Sequence, residues 1–261
     1  MDRFEYGDDA MQYGVFRRAD GISRGTVVLI HGGFWRGTPE YFDGPTPLAE
    51  ALVARGWHVW QIEYRQVPNG GGWPETLNDT AAAIEHLAVV AASLDVEVGP
   101  TITVGHSAGG HLAVWALSRP RASLGLTGAV SLAGALNLLL GEKEHIGDGA
   151  VVDFLGGSSD DHPERYAAAD PMLRIEHRLP VRIVHGNRDE VVPMNQSDTY
   201  VAAARGAGQD AAVTVVDGDH MVVIDPRHPA FEVLLGALDE IRATAEVDRA
   251  RSVDGARRTR E

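Results

Sequence analysis

Ser107 stands in the run Gly105-His106-Ser107-Ala108-Gly109-Gly110, between a β-branched apolar stretch and a helix-periodic one. A serine hydroxyl attacks a carbonyl only when a base removes its proton, and it must project from a strained strand-to-helix turn to reach its target. Such a turn crowds the positions two residues away on each side, and here both are glycine. Ser107 then lies at the positive end of the next helix, where the Ala108 N–H faces a developing oxyanion. The base should be a histidine oriented by a carboxylate, each on a loop after a strand. Asp189, in His185-Gly186-Asn187-Arg188-Asp189, and His220, in Asp217-Gly218-Asp219-His220, meet that need in the order Ser, Asp, His. The intervals of 82 and 31 residues leave room for an insertion and then for one helix–strand unit. Glu190 is expected to point away, and Asp217 and Asp219 read as turn formers. His228 is the rival base, disfavoured because it directly precedes the final helix.

A second cluster, His31-Gly32-Gly33-Phe34-Trp35, follows another apolar run. Paired glycines let the backbone approach a ligand and aim N–H groups at it. The Gly33 and Phe34 N–H groups are expected to act with that of Ala108 as an oxyanion hole, while His31 organises the loop. Phe34, Trp35 and Trp73 are the aromatic candidates for substrate contact, with packing the favoured role for Trp35. The other histidines have no metal-ligand spacing. The absence of cysteine removes disulfides, thiolate metal sites and a thiol nucleophile. Neither a metal nor a cofactor is expected.

These groups need a sheet to hold them. Short β-branched runs at Thr26–His31, Trp57–Glu63, Thr101–Gly105, Gly128–Leu132, Val181–His185 and Ala212–Val216 alternate with longer helical patterns. That alternation is the signature of a mostly parallel α/β sheet covered by helices on both faces. Pro74 opens one predicted helix and Ser107–Leu117 forms the next, closed by Pro120. Pro193 opens another that ends near Gly206, and Pro229 starts the last, with Phe231, Leu234, Leu235, Leu238 and Ile241 on one face. One domain is expected over residues 1–241. Residues 134–180 are a candidate lid insertion, and 242–261 lose apolar periodicity and read as a disordered charged tail.

Composition narrows the partners. The chain has 23 Lys and Arg against 37 Asp and Glu, a formal charge of −14, which argues against non-specific binding to nucleic acid or anionic membrane. Met1-Asp2-Arg3-Phe4-Glu5 has neither a basic region nor an apolar run, so a cytoplasmic protein acting on a small molecule is expected. The oligomeric state is left open, a homodimer included.

Taken together, these motifs resemble the α/β-hydrolase superfamily over most of residues 10–241. The HGGFW loop with GHSAGGHL is similar to the kynurenine formamidase-like branch, which implies hydrolysis of N-formylkynurenine above generic ester hydrolysis. Arg36 and Arg65 would then be the candidate partners for the amino-acid end. The Tyr64-Arg65 pair is similar to hormone-sensitive-lipase-like carboxylesterases, and His185-Gly186-x-x-Asp189-x-x-Val192-Pro193 resembles the acid loop of prolyl-oligopeptidase-type hydrolases. The implied activity is cleavage of a small ester or (form)amide through an acyl-enzyme. A short-chain carboxylesterase is one alternative. A non-catalytic binding protein on the same fold is the alternative of another class.

Overall fold

The computed structural model describes residues 2–37, 46–119, 125–175 and 179–258, with side chains as far as 246. Among the described residues, eight strands form one sheet: β1 (Asp2–Glu5), β2 (Tyr13–Arg17), β3 (Thr26–Ile30), β4 (His58–Ile62), β5 (Thr101–His106), β6 (Leu126–Leu132), β7 (Val181–Gly186) and β8 (Ala211–Val216). Their order is β1-β2-β4-β3-β5-β6-β7-β8. The six strands from β4 to β8 run parallel, whereas β1 and β2 pair antiparallel at one edge.

Every residue of β3 and β5 is buried, as expected when a parallel sheet is covered on both faces. Successive side chains alternate between the two layers. Val28 and Ile30 join a cluster with α2 (Glu75–Leu94) and α3 (Ala108–Trp115), whereas Val27 and Leu29 pack with α1 (Pro47–Ala54) and α8 (Ala230–Arg258). A third cluster seats α7 (Asn195–Gly206) against β7 through Tyr200, Val201 and Ala204.

Two elements had no counterpart in the apolar pattern. The β1–β2 hairpin pairs a four-residue, largely exposed strand with a short one, too little for a periodic signal. Helix α1 is marked by its cap, Thr46 accepting from the Ala49 N–H with Pro47 at the first turn, and that signal is local rather than periodic. Helix α3 ends in a 3₁₀ turn over Ala116–Ser118, and the expected stop at Pro120 lies outside the described residues.

Helix α8 continues to Arg258, past the point where a disordered tail was expected. The apolar stripe does end at Ile241. Beyond it, Arg242 pairs with Asp239 and Glu246 at helical spacing, so local charge supports a turn that packing does not.

The insertion at 134–180 is built into the fold. Its helices α4 (Leu138–Lys143), α5 (Ala150–Leu155) and α6 (Pro163–Ala169) bury Leu138, Val151, Phe154 and Tyr166 in the cluster that holds α2 and α3. Asp170 is fully buried. Its carboxylate accepts the Leu138 and Leu139 N–H groups at 2.9 and 3.2 Å and that of Met172 at 2.9 Å, capping α4 and the next 3₁₀ turn together.

Candidate active site

Ser107 joins β5 to α3 with φ 54° and ψ −121°, a conformation that costs a non-glycine residue of order 1–3 kcal/mol and persists only where the surroundings impose it. The neighbours impose it here. The Ser107 N–H donates to Leu132 O of β6 at 2.9 Å. A Cβ on Gly105 would overlap Gly109 O, and one on Gly109 would overlap the carbonyl oxygens of Ile30 and His31. The glycines two residues either side of Ser107 are therefore required by contact with each other and with β3. The Ser107 side chain makes no hydrogen bond among the described residues.

The acid and the histidine are brought together by two interlocked loops. Asn187 Oδ1 accepts the Gly218 N–H at 3.0 Å, and the Arg188 N–H donates to Gly218 O at 2.9 Å. Across them His220 Nδ1–H donates to Asp189 Oδ2 at 2.7 Å, which leaves Nε2 as the basic nitrogen because a carboxylate can only accept. Asp189 Oδ1 takes the Val191 and Val192 N–H groups at 2.9 and 2.8 Å. His185, fully buried, donates Nε2–H to Val192 O at 2.9 Å and to Asp189 Oδ2 at 3.2 Å, while its Nδ1 accepts from Ser197 Oγ at 2.7 Å. Burial alone would raise the Asp189 pKa. The hydrogen bonds from His185, His220 and the Val192 N–H outweigh it and hold the carboxyl far below the usual range.

His106 ties this pair to the serine. Its Nε2–H donates to His220 O at 3.0 Å and the two rings lie 4.5 Å apart, one residue from Ser107. Glu190 is exposed, Asp217 bonds Asn187 and Arg188, and Asp219 accepts the Met221 N–H at its own turn. His228 accepts the Ala230 N–H at 3.2 Å and so caps α8.

The glycine loop after β3 lies against the serine. A Cβ on Gly32 would stand 2.9 Å from Ser107 Cβ. Gly33, Phe34 and Trp35 all have positive φ, at 111°, 57° and 54°, and no acceptor within the described chain takes the Gly33 or Phe34 N–H. Buried groups hold this strained run in place. His31 Nε2 bonds Glu63 Oε1 at 2.9 Å and its ring stacks on Tyr64 at 4.4 Å, while Glu63 also accepts from the Tyr64 N–H and Gln66 Nε2, each at 2.8 Å.

Trp35 leaves the candidates for substrate contact and takes the packing role favoured for it. It is 1% exposed, stacks on Phe154 at 4.7 Å and donates Nε1–H to His111 Nδ1 at 3.1 Å, so it packs the loop against α3 and α5 and has no face for substrate. The Trp73 N–H donates to Phe154 O at 2.8 Å and its ring packs on the same cluster. Phe34 is part-buried against Gly147 of the insertion. The insertion therefore lies beside the glycine loop, clamped there by Arg36, which bonds Asp153 Oδ2 at 2.6 Å, Gly147 O at 2.7 Å and Asp148 O at 3.2 Å.

Buried titratable groups around the site set a pH dependence. Burial pushes His106 down to about 3 and His111 down to about 4, while burial raises Asp170 to about 6 against the pull of its three N–H donors. Below a pH of about 6.5 the unfolded chain protonates both imidazoles and the folded chain does not, so each costs about 1 kcal/mol of stability per pH unit. Asp170 acts oppositely, taking its proton in the folded state first. Between a pH of about 5.5 and 4.5 the three groups leave a net loss of about 1 kcal/mol per unit. Asp170→Asn is expected to steepen the measured slope by about 1 kcal/mol per unit, which urea denaturation of both proteins across this range would show.

Among the described residues no group of three or more His, Asp or Glu is arranged to hold a metal ion, and no helix is long and apolar enough to cross a membrane. The BD-FAE family model matches residues 18–203. The chain is 31% identical to esterase LipC of Mycobacterium tuberculosis over 79% of its own length and 55% of that protein's. It is 26% identical to esterase LipQ of the same organism, over 74% and 49%. The chain thus spans about half the length of these relatives. Its fold is that of solved α/β-hydrolases: esterase B from Lactobacillus rhamnosis superposes with a TM-score of 0.80 at 17% identity, covering 96% of this chain and 87% of that one.

Proposed function

The chain belongs to the BD-FAE family of α/β-hydrolases, and from that premise we propose that it is a serine carboxylesterase with Ser107, His220 and Asp189 as its triad. One observation carries the reading: Asp189 fixes the His220 tautomer with Nε2 free, beside a serine held at φ 54° on a helix N-terminus. In the first step His220 Nε2 takes the Ser107 hydroxyl proton as the serine oxygen bonds to the ester carbonyl carbon. The Ala108, Gly33 and Phe34 N–H groups hold the oxyanion, each donor contributing on the order of 3 kcal/mol. The intermediate collapses, the alcohol leaves with the proton from His220, and the acyl group stays on Ser107. Water repeats the sequence and releases the acid. Asp189 stays ionised throughout and stabilises the imidazolium.

LipC and LipQ are named esterases, which favours an ester over a formamide. A second observation points the same way. Hydrolysis of N-formylkynurenine would call for a cation to receive its carboxylate. Arg36 is committed to Asp153, Gly147 and Asp148, and Arg65 is committed to Asp79 through two bonds of 2.8 Å. The arylformamidase reading inferred from the HGGFW loop is therefore the second one. Short p-nitrophenyl esters are expected to exceed N-formylkynurenine in kcat/KM by about 100-fold or more, as when a substrate's charges find no partner. Steady-state kinetics on both substrates checks this, and a formamide rate equal to the ester rate would restore the arylformamidase reading.

A further inference from the structure

His185 stands near the end of β7, fully buried, and a serine–histidine–acid triad does not call for it. Its Nε2 faces two oxygens that can only accept, Val192 O at 2.9 Å and Asp189 Oδ2 at 3.2 Å, so Nε2 carries a proton. Nδ1 accepts from Ser197 Oγ at 2.7 Å, and Ser197, fully buried on α7, fixes that tautomer. Asp189 Oδ2 therefore takes two imidazole N–H groups, one from His185 at 3.2 Å and one from His220 at 2.7 Å. The other carboxylate oxygen is filled by the Val191 and Val192 N–H groups. Burying His185 and Ser197 behind a carboxylate is costly unless each is satisfied, and an apolar pair would fill the same space without that cost.

We propose that His185 is a positioning residue of the triad: it holds Asp189 Oδ2 in line for His220 and keeps the His220 base free of its proton to a lower pH than Asp189 alone would allow. The inference rests on the esterase reading above. Geometry supplies the first half. With Oδ1 held by two backbone N–H groups and Oδ2 by His185, the carboxylate cannot turn away from His220. Charge supplies the second. Two N–H groups on one oxygen draw on the same negative charge, so the His185 bond weakens the pull of Asp189 on an imidazolium at His220. The same bond helps hold the Asp189 carboxyl far below its usual range. Without His185, His220 would keep its proton to higher pH, and a protonated ring cannot act on Ser107. The other groups around the pair are accounted for. His106 at the end of β5 faces the His220 ring, and α7 presents the uncharged Ser197. On the two loops Glu190 is exposed, Asp217 pairs with Arg188, Asp219 holds its own turn and Asp225 pairs with Arg227, while His228 caps α8.

The test is the pH profile of kcat/KM for p-nitrophenyl acetate, whose acid limb reports the free enzyme's base. It is taken over the range in which thermal midpoints show each protein folded. His185→Leu removes the donor, and His185→Met, with a more adaptable chain, replaces it where the leucine variant does not fold. Either variant is expected to lower the plateau by about 10-fold and to move the midpoint of the acid limb up by about half a pH unit or more. His185→Gln, which returns an amide N–H to that side of the carboxylate, is expected to bring the limb back to within about 0.2 unit of wild type. A limb that stays at the wild-type position in the apolar variant, whatever happens to the plateau, makes His185 a packing residue and overturns the proposal. A limb that moves as far in His185→Gln as in the apolar variant overturns it too. Both results spare the esterase reading. Absence of acetate turnover in the wild-type protein overturns that reading and the proposal together.

Discussion

Ser107→Ala is expected to lower kcat/KM for p-nitrophenyl acetate by about 10⁴- to 10⁶-fold while the protein stays folded. The substitution removes only the Oγ atom, and that atom takes part in no hydrogen bond among the described residues, so nothing buried is left unpaired. Alanine and serine meet similar backbone strain at φ 54°, so the elbow is kept. What disappears is the covalent route. The residual rate should reflect the oxyanion donors and substrate positioning alone, which in triad enzymes still exceed water by about 10³–10⁴. Parallel measurement of the thermal midpoint separates loss of chemistry from loss of fold. A variant that turns over within tenfold of wild type would end the acyl-enzyme mechanism.

His220→Ala is expected to cause a loss of the same order, about 10⁴- to 10⁶-fold, whereas His228→Ala should leave kcat/KM within about twofold. The contrast follows from what each ring holds. His220 is bonded to Asp189 at 2.7 Å and stands against His106 beside the serine. His228 caps α8 through the Ala230 N–H, so its removal should cost about 1 kcal/mol of stability and no chemistry. Activity and denaturation measured on both variants separate the two roles: only His220→Ala loses the chemistry, and His228→Ala loses stability without losing activity. A large activity loss in His228→Ala with little in His220→Ala would reassign the base.

Much of the candidate site's placement could be read along the chain because chemistry dictates residue types at strand ends. The glycines around Ser107 announce a crowded turn, and Asp189 and His220 follow β7 and β8 in the required order. The parallel core strands were equally legible, since burial on both faces writes them as apolar runs. What escaped depends on contacts between distant segments. Trp35 reads as packing, but its partners, the stacked Phe154 ring and the His111 acceptor, lie far along the chain and have no local signal. Arg36 reads as a free cation until residues 147–153 close on it. The length of α8 escaped for another reason: beyond Ile241 it lacks the apolar stripe by which helices are recognised.

Peptide mapping after reaction with a fluorophosphonate tests the central claim most directly, since it requires a serine activated by its histidine and no knowledge of the natural substrate. The account predicts a single adduct on Ser107 in the folded protein, strongly reduced in His220→Ala. Folded wild-type protein that stays unlabelled, or that carries the adduct on another residue, would contradict it and favour a binding protein on a hydrolase fold.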